Sequence, residues 1–268
     1  MKELLEKDYN KILKLLDRGI QYPEVISIIE KNNPGTIFVD EIYEPKSALV
    51  WNQGMKGFYF LGDPESKLFL EHINEFMDHF IPKFLKERNI SCFEGSGTTQ
   101  EWDETIKKVF ENKDLHSGKQ RIYTWDYNSN IHQMKHFKYK IYSIRSMNHQ
   151  SFFNWKYYER VLVSFWGSID QLIEKGNCYY AVDGNKIIGI CYSGFVTSNT
   201  KTIGIETDEK YRKQGVGYHL ALHCIRDILQ EGKMIWWDCM EENIGSGRLA
   251  EKLGFVKSQE YECYYSGL

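Results

Sequence analysis

Two hydrophobic periods take turns along this chain. Over residues 2–16 the apolar positions Leu4, Leu5, Ile12, Leu13, Leu15 and Leu16 predict a first helix that stops near Gly19. A second is expected over 23–30, opened by Pro23. Asn32, Asn33, Pro34 and Gly35 then break the chain, and short apolar runs predict strands at 36–39, 48–51 and 58–61. Helical spacing returns over 65–88, where Pro82 is expected to kink or divide the helix. A strand at 90–93, the turn Gly95-Ser96-Gly97, a helix over 99–112 that Thr99 can cap, and a strand at 121–125 close the first half.

The second half repeats the succession. A strand at 139–145 and helices over 151–163 and 168–174 precede two strands, 178–182 and 186–194, joined by Asp183-Gly184-Asn185, whose Asp-Gly pair suits a tight hairpin. A strand at 202–207 runs into a glycine-spaced turn and a helix over 215–230, followed by a strand at 233–239, a helix over 245–253 and a strand at 256–265. Three strands, helix, strand, helix, strand therefore describes both 36–125 and 178–265. That order predicts an α/β chain built on an internal repeat, with domains at 1–135 and 136–268; chance agreement of two α/β patterns is the alternative.

Composition narrows the partners. The 268 residues, 42% of them apolar, suffice for two domains of ordinary size with full cores. A net charge of −3 gives no general attraction to nucleic acid or to an anionic membrane, so neither is an expected partner and any phosphate must be met locally. The first residues, Met1-Lys2-Glu3-Leu4-Leu5-Glu6-Lys7, lack the apolar core of a secretion signal. No later run approaches the roughly 20 apolar residues of a membrane span, and a cytoplasmic protein is expected. The six cysteines show no C-x-x-C spacing and are expected to be reduced.

The chemistry concentrates in Tyr211-Arg212-Lys213-Gln214-Gly215-Val216-Gly217. Gly215 and Gly217 remove side chains where a backbone must approach a ligand, and the helix that follows aims its free N–H groups and positive dipole end at the same point. An anion, above all a diphosphate, suits such a turn. No lysine follows Gly217, which disfavours a nucleotide triphosphatase loop, and the third glycine of a dinucleotide fingerprint is missing.

Arg212-x-x-Gly215-x-Gly217 after a strand, followed by Asn243, Ser246, Leu249 and Lys252-Leu253-Gly254-Phe255, resembles the GNAT superfamily of N-acetyltransferases over residues 178–265. Gly204-Ile205-Glu206-Thr207 and Trp237-Asp238 further resemble the branch that includes zwittermicin A resistance acetyltransferases, which also carry a long N-terminal region. The resemblance implies a mixed central sheet of GNAT type in the C-terminal half, preceded by a degenerate GNAT-like half. There Gly62-Asp63-Pro64-Glu65-Ser66 offers a phosphate two carboxylates and a proline without an N–H. It also implies acetyl-CoA as co-substrate and a small-molecule amine as acceptor. The amides of Gln214, Gly215, Val216, Gly217 and Tyr218 would hold the diphosphate, with Arg212 or Lys213 at its edge. The open edge of Ile205 and Thr207 would pair with the pantetheine arm, and Asn243 and Ser246 would contact that arm from the other side unless they serve as helix caps.

Transfer to an amine requires a base, because a protonated nitrogen has no lone pair to attack a thioester. Glu206 is the expected base, acting directly or through a water; an outward-facing strand carboxylate is the alternative, since one residue of register slip reverses its face. Many family members place a tyrosine where this chain has Ala250. Tyr264 is the expected substitute acid, with Tyr265, Cys239 or solvent as alternatives. No metal is expected: His219-x-x-x-His223 and His132-x-x-x-His136 lack a third ligand at metal-binding spacing. The aromatic cluster from Phe152 to Tyr158 is read as core packing before cavity lining. A non-catalytic acyl-CoA sensor and a structural interaction protein are the other function classes that fit.

Overall fold

The computed structural model describes residues 1–127, 137–146 and 149–267. They group into two compact units, Met1–Gln120 with Tyr261–Leu268, and Arg121–Glu260. The domain boundary expected at 135/136, like His132 and His136, falls outside the described residues.

The first unit contains β1 (Lys2–Glu3), a 3-10 helix (Glu6–Leu16), α1 (Pro23–Ile29), β2 (Gly35–Val39), β3 (Ser47–Asn52) and β4 (Gly57–Gly62). There follow α2 (Lys67–Glu75), a π-helical turn (Phe76–Phe80), α3 (Ile81–Lys86), β5 (Cys92–Gly97), α4 (Gln100–Val109) and the beginning of β6 (Leu115–Trp125). The first helix winds as a 3-10 helix because its buried Tyr9, Ile12 and Leu15 recur every third residue, the period that stacks side chains on one 3-10 edge. The helix expected over 65–88 is divided by the π turn before Pro82, where the N–H of Ile81 reaches back five residues to the carbonyl of Phe76. Pro82 has no N–H and its ring crowds the carbonyl one turn back, so a widened turn ahead of it relieves the clash.

β2, β3 and β4 pair antiparallel, and β5 then joins β4 in parallel. The far edge of β5 is covered by the end of the chain, from Tyr264 opposite Gly95 to Gly267 opposite Cys92. Phe58, Phe60, Phe69, Phe93 and Trp102 form the core on one side, with Phe69 and Trp102 edge to face at 5.2 Å.

The second unit contains the end of β6, β7 (Lys140–Ser143), α5 (Trp155–Trp166), α6 (Ile169–Lys175), β8 (Cys178–Asp183), β9 (Lys186–Val196) and β10 (Thr200–Thr207). α7 (Val216–Gln230), β11 (Met234–Met240), α8 (Ile244–Leu253) and the first residues of β12 (Phe255–Gly267) complete it. Its strands lie in the order β12-β6-β11-β10-β9-β8-β7. Here too three antiparallel strands, β8, β9 and β10, are followed by a parallel fourth, β11. The first four strands of each expected repeat thus share a topology, while the fifth strand of the first, 121–125, lies in the second unit and the end of β12 pairs with β5 in its place. Val216, Leu220 and Ile225 of α7 pack with Ile203, Trp237 and Phe255 on one sheet face, while Leu162 and Trp166 of α5 pack with Tyr180 and Tyr192 on the other.

The six cysteines are thiols, not disulfides. Among the described residues no helix is long and apolar enough to cross a membrane.

Candidate active site

β10 and β11 start as neighbours and part. Their parallel register runs from Thr200 opposite Met234 to Thr202 opposite Trp236, while β10 continues to Thr207 and β11 to Met240. On its other edge β10 stays paired with β9 up to Thr207 opposite Gly189. The N–H of Asp208 donates to the Ile188 carbonyl at 3.0 Å, which sets the phase of that ladder. Antiparallel hydrogen-bonded pairs alternate, so Gly204 and Glu206 turn their main-chain groups to β9, and Ile205 and Thr207 turn theirs to the edge β11 has left. An extended amide chain finds its partners there.

The turn from β10 into α7 is braced from several sides. Asp208 accepts the N–H of Lys210 and takes Lys186 at 2.6 Å. Tyr211 donates to Asp183 at 3.0 Å, and Gln214 accepts from Tyr139 and donates to the Lys210 carbonyl, both at 2.8 Å. Gly215 then takes φ 84°, a left-handed conformation costly for any residue with a Cβ, and becomes the N-cap of α7 without a side chain to offer. The first intrahelical bond of α7 is His219 N–H to Gly215 carbonyl at 3.0 Å. The N–H groups of Val216, Gly217 and Tyr218 precede it and have no acceptor within the helix. A Cβ on Gly217 would meet Ile205, Leu249 and Thr207 at 3.3–3.4 Å, so the helix end lies close against β10. Arg212, exposed, donates weakly to the Thr207 carbonyl at 3.4 Å, and Lys213 is exposed beside it. The arrangement is a helix end with unspent main-chain donors and two cations beside it, one of them, Arg212, 3.7 Å from Glu209.

Strand alternation sends Glu206 to the opposite face, toward α5. Gly204, on that same face, leaves room for the ring of Tyr192, which a Cβ would meet at 2.6 Å. Glu206 is half-buried, and its Oε1 accepts a hydrogen bond from the Tyr157 hydroxyl at 3.2 Å. The Glu206 charge is the largest cause that raises the Tyr157 pKa, so the phenol stays protonated and a donor. Burial, and then Glu206, raise Tyr158 and Tyr192.

The remaining expected residues are spread more widely. Asn243 is the N-cap of α8, its Oδ1 accepting the Ser246 N–H at 3.1 Å, and the Ser246 hydroxyl accepts from the Trp237 indole at 3.0 Å. Asn243 thus caps the helix, while the Ser246 hydroxyl is taken by Trp237. Tyr264 belongs to the first unit and is 3% exposed in its aromatic core, where burial first and then the Asp103 charge raise its pKa. Glu206 is in the second unit, and Tyr264 has the surroundings of a packing residue. Ala250, on the buried face of α8, is fully buried. His219 stacks on Phe137 at 4.3 Å and His223 on Tyr179 at 5.0 Å, and among the described residues no group of metal-ligating side chains is assembled.

Sequence reasoning passed over Tyr157 within its aromatic cluster. The signal was helical spacing: Trp155, Tyr158, Leu162 and Trp166 form the buried stripe of α5, and Tyr157, 52% exposed, lies off it.

The profile of the family described as GNAT acetyltransferase matches residues 14–264. The chain is 28% identical over 271 residues to the "Uncharacterized N-acetyltransferase YdfB" of Bacillus subtilis (strain 168), a match that covers 100% of this chain and 99% of that protein. Among solved structures it is similar to a GCN5-related N-acetyltransferase-like protein from Streptococcus suis 89/1591, with a TM-score of 0.68, 19% identity, and 96% and 98% of the two chains covered. It is also similar to a tandem GNAT protein from the clavulanic acid biosynthesis pathway, with a TM-score of 0.66, 9% identity, and 99% and 97% covered. At such identities the two structures speak for the fold, and they do so over nearly the whole chain.

Proposed function

The chain belongs to the GNAT acetyltransferase family, and from that premise we propose that it transfers the acetyl group of acetyl-CoA to a primary amine by direct attack, with Glu206 as general base. One observation carries the reading: the side-chain-free N-terminus of α7 behind Arg212-x-x-Gly215-x-Gly217, next to a strand edge from which β11 has parted. Members of the family use acetyl-CoA as co-substrate.

In this reading the amides of residues 214–218 bind the diphosphate, and Arg212 and Lys213 add charge at its edge. The main-chain groups of Ile205 and Thr207 pair with the amides of the pantetheine arm. Acetyl-CoA brings the acetyl group as a thioester. Glu206 takes the proton of the acceptor ammonium, directly or through a water, and frees the lone pair that attacks the acetyl carbon. Main-chain donors at the parted strands stabilise the oxyanion. The carbon–sulfur bond then breaks. A thiol of pKa about 8.5, by analogy with cysteine, leaves as thiolate without a dedicated acid, so solvent can protonate it where Ala250 stands in place of the family's tyrosine. Tyr264 is assigned to packing.

Ala250 also supports a second reading, an acyl-CoA sensor that binds without turnover. Two measurements separate these. Melting temperature should rise with millimolar acetyl-CoA, because a ligand at about 100 times its dissociation constant adds about 2.7 kcal/mol. Thiol release should then appear with at least one member of an amine panel of polyamines, amino acids, peptide N-termini and amine-bearing antibiotics, the last suggested by the resemblance to the zwittermicin A resistance branch. Stabilisation without any thiol release supports the sensor; no stabilisation removes both.

A further inference from the structure

We propose that Tyr157 is a positioning residue for the general base: its hydroxyl holds Oε1 of Glu206 so that Oε2 is presented to the acceptor amine. The inference rests on the reading of Glu206 as base and adds to it a device that sets the carboxylate's orientation.

The geometry of α5 supplies the support. Asn154, just before the helix, grips the β9 backbone with both ends of its amide: Nδ2 donates to the Ile187 carbonyl at 2.8 Å and Oδ1 accepts the Ile187 N–H at 3.0 Å. Trp155 and Tyr158, at 3% and 4% exposure, lock the first turn into the core. Tyr157 lies between these anchors, its ring edge-on to Tyr158 at 5.1 Å and 82°. An exposed tyrosine on a helix ordinarily sends its hydroxyl to water, yet this one spends it on a carboxylate from a strand 49 residues away.

The groups that face Glu206 are phenols. Tyr157 and Tyr158 come from α5 and Tyr192 from β9, and the carboxylate raises the pKa of all three. On its own strand the next carboxylate, Asp208, is tied to Lys186. On β11, Asp238 falls on the same sheet face, because Trp236 is registered with Thr202 and sides alternate along both strands. With one oxygen fixed by a neutral donor, the carboxylate cannot rotate freely, and its second oxygen has one preferred direction.

The test follows the Glu206 δ-carbon by NMR at constant pH in the whole 13C-labelled chain, with the resonance assigned by its loss in Glu206→Gln. In Tyr157→Phe, which keeps the ring, that resonance should move, because one carboxylate oxygen loses its donor. Turnover with the first productive amine of the panel should fall about tenfold in kcat, with the KM for acetyl-CoA unchanged. An unmoved resonance overturns the proposal, and so does a moved resonance with unchanged kcat. Full turnover in Glu206→Gln removes the general-base reading and the proposal with it, a failure distinguishable because the Tyr157→Phe resonance would still have moved. Stabilisation of each variant by acetyl-CoA verifies that it is folded.

Discussion

The chain makes the same junction twice, from the third antiparallel strand into a helix, and the two ends differ in what the backbone has left to give. In the first unit β4 keeps its parallel partner through Phe60 opposite Gly97, and the Thr98 N–H adds one more bond to the Phe60 carbonyl at 3.0 Å. The turn into α2 is then filled by its own groups. Asp63 Oδ1 accepts the Glu65 N–H at 2.9 Å, the Asp63 carbonyl accepts the Ser66 N–H at 3.3 Å, and the Ser66 hydroxyl donates to Asp40 at 2.7 Å. In the second unit β10 loses β11 after Thr202, and α7 begins on a glycine with no capping side chain. Gly62 and Gly215 share a left-handed φ of 84°, so glycine does not distinguish the junctions. Neither helix has a side-chain cap, so the difference is the charge that leads into each: Asp63 and Glu65 before α2, and Arg212, 3.7 Å from Glu209, with Lys213 before α7.

The comparison can be strained from either side. Trp102→Ala, in the core of the first unit, should cost about 3–5 kcal/mol in urea unfolding and leave the acetyl-CoA dissociation constant of the folded protein unchanged. Loss of affinity in proportion to stability would make the two units one functional device. Glu206→Gln should lower kcat by about 100-fold or more, the usual contribution of a positioned base, with acetyl-CoA binding intact by calorimetry. Gly215→Val forces a β-branched residue into a left-handed turn, costs about 1–2 kcal/mol of stability, and should weaken acetyl-CoA binding about tenfold. Gly62→Val, where an added Cβ would meet the Lys46 carbonyl at 2.1 Å, should destabilise at least as much yet leave that affinity alone. Equal effects of the two valines on binding would erase the distinction between the junctions.

The smallest effect is in pH. Burial lowers the pKa of His219 and His223 on α7, so the folded chain resists protons that the unfolded chain accepts near the ordinary histidine value of about 6.5. Their contribution to stability is therefore present above that value and is lost as pH falls below it. Melting temperature should fall more between pH 7.5 and pH 5.5 in the parent than in His219→Phe, whose ring can keep the stack on Phe137; an equal fall would deny that histidine burial carries the effect.

The turn into α7 was legible because its pattern is local: a strand, two spaced glycines, a basic pair and a helix follow one another in sequence. Glu206 was legible as a candidate but its side was not, since one bulge or slip reverses a strand face, and only the β9 ladder and the Gly204–Tyr192 contact settle which way it points. Tyr157 was hidden because its partner lies on another element. The surroundings of Tyr264 were hidden for the same reason. A tyrosine near the end of the chain looks close in sequence to the acetyltransferase motifs, yet the last strand runs on to pair with β5, and its ring is spent in the core of the first unit. Pro82 announced a break but not its form, because a kink, a stop or a π turn can each accommodate a missing N–H.

The central claim is that the free amides at the start of α7 hold the diphosphate of coenzyme A. The direct measurement is a titration of the 15N-labelled chain with CoA, and in parallel with pantetheine, which lacks the diphosphate, while backbone amide shifts are followed in both helix entrances. CoA should move the amides of Gly215, Val216, Gly217 and Tyr218 strongly, pantetheine should move Ile205 and Thr207 but not those four, and the amides of Glu65 to Leu70 should stay in place under both. CoA that binds with the α7 amides unmoved, or that moves the α2 entrance instead, would contradict the account.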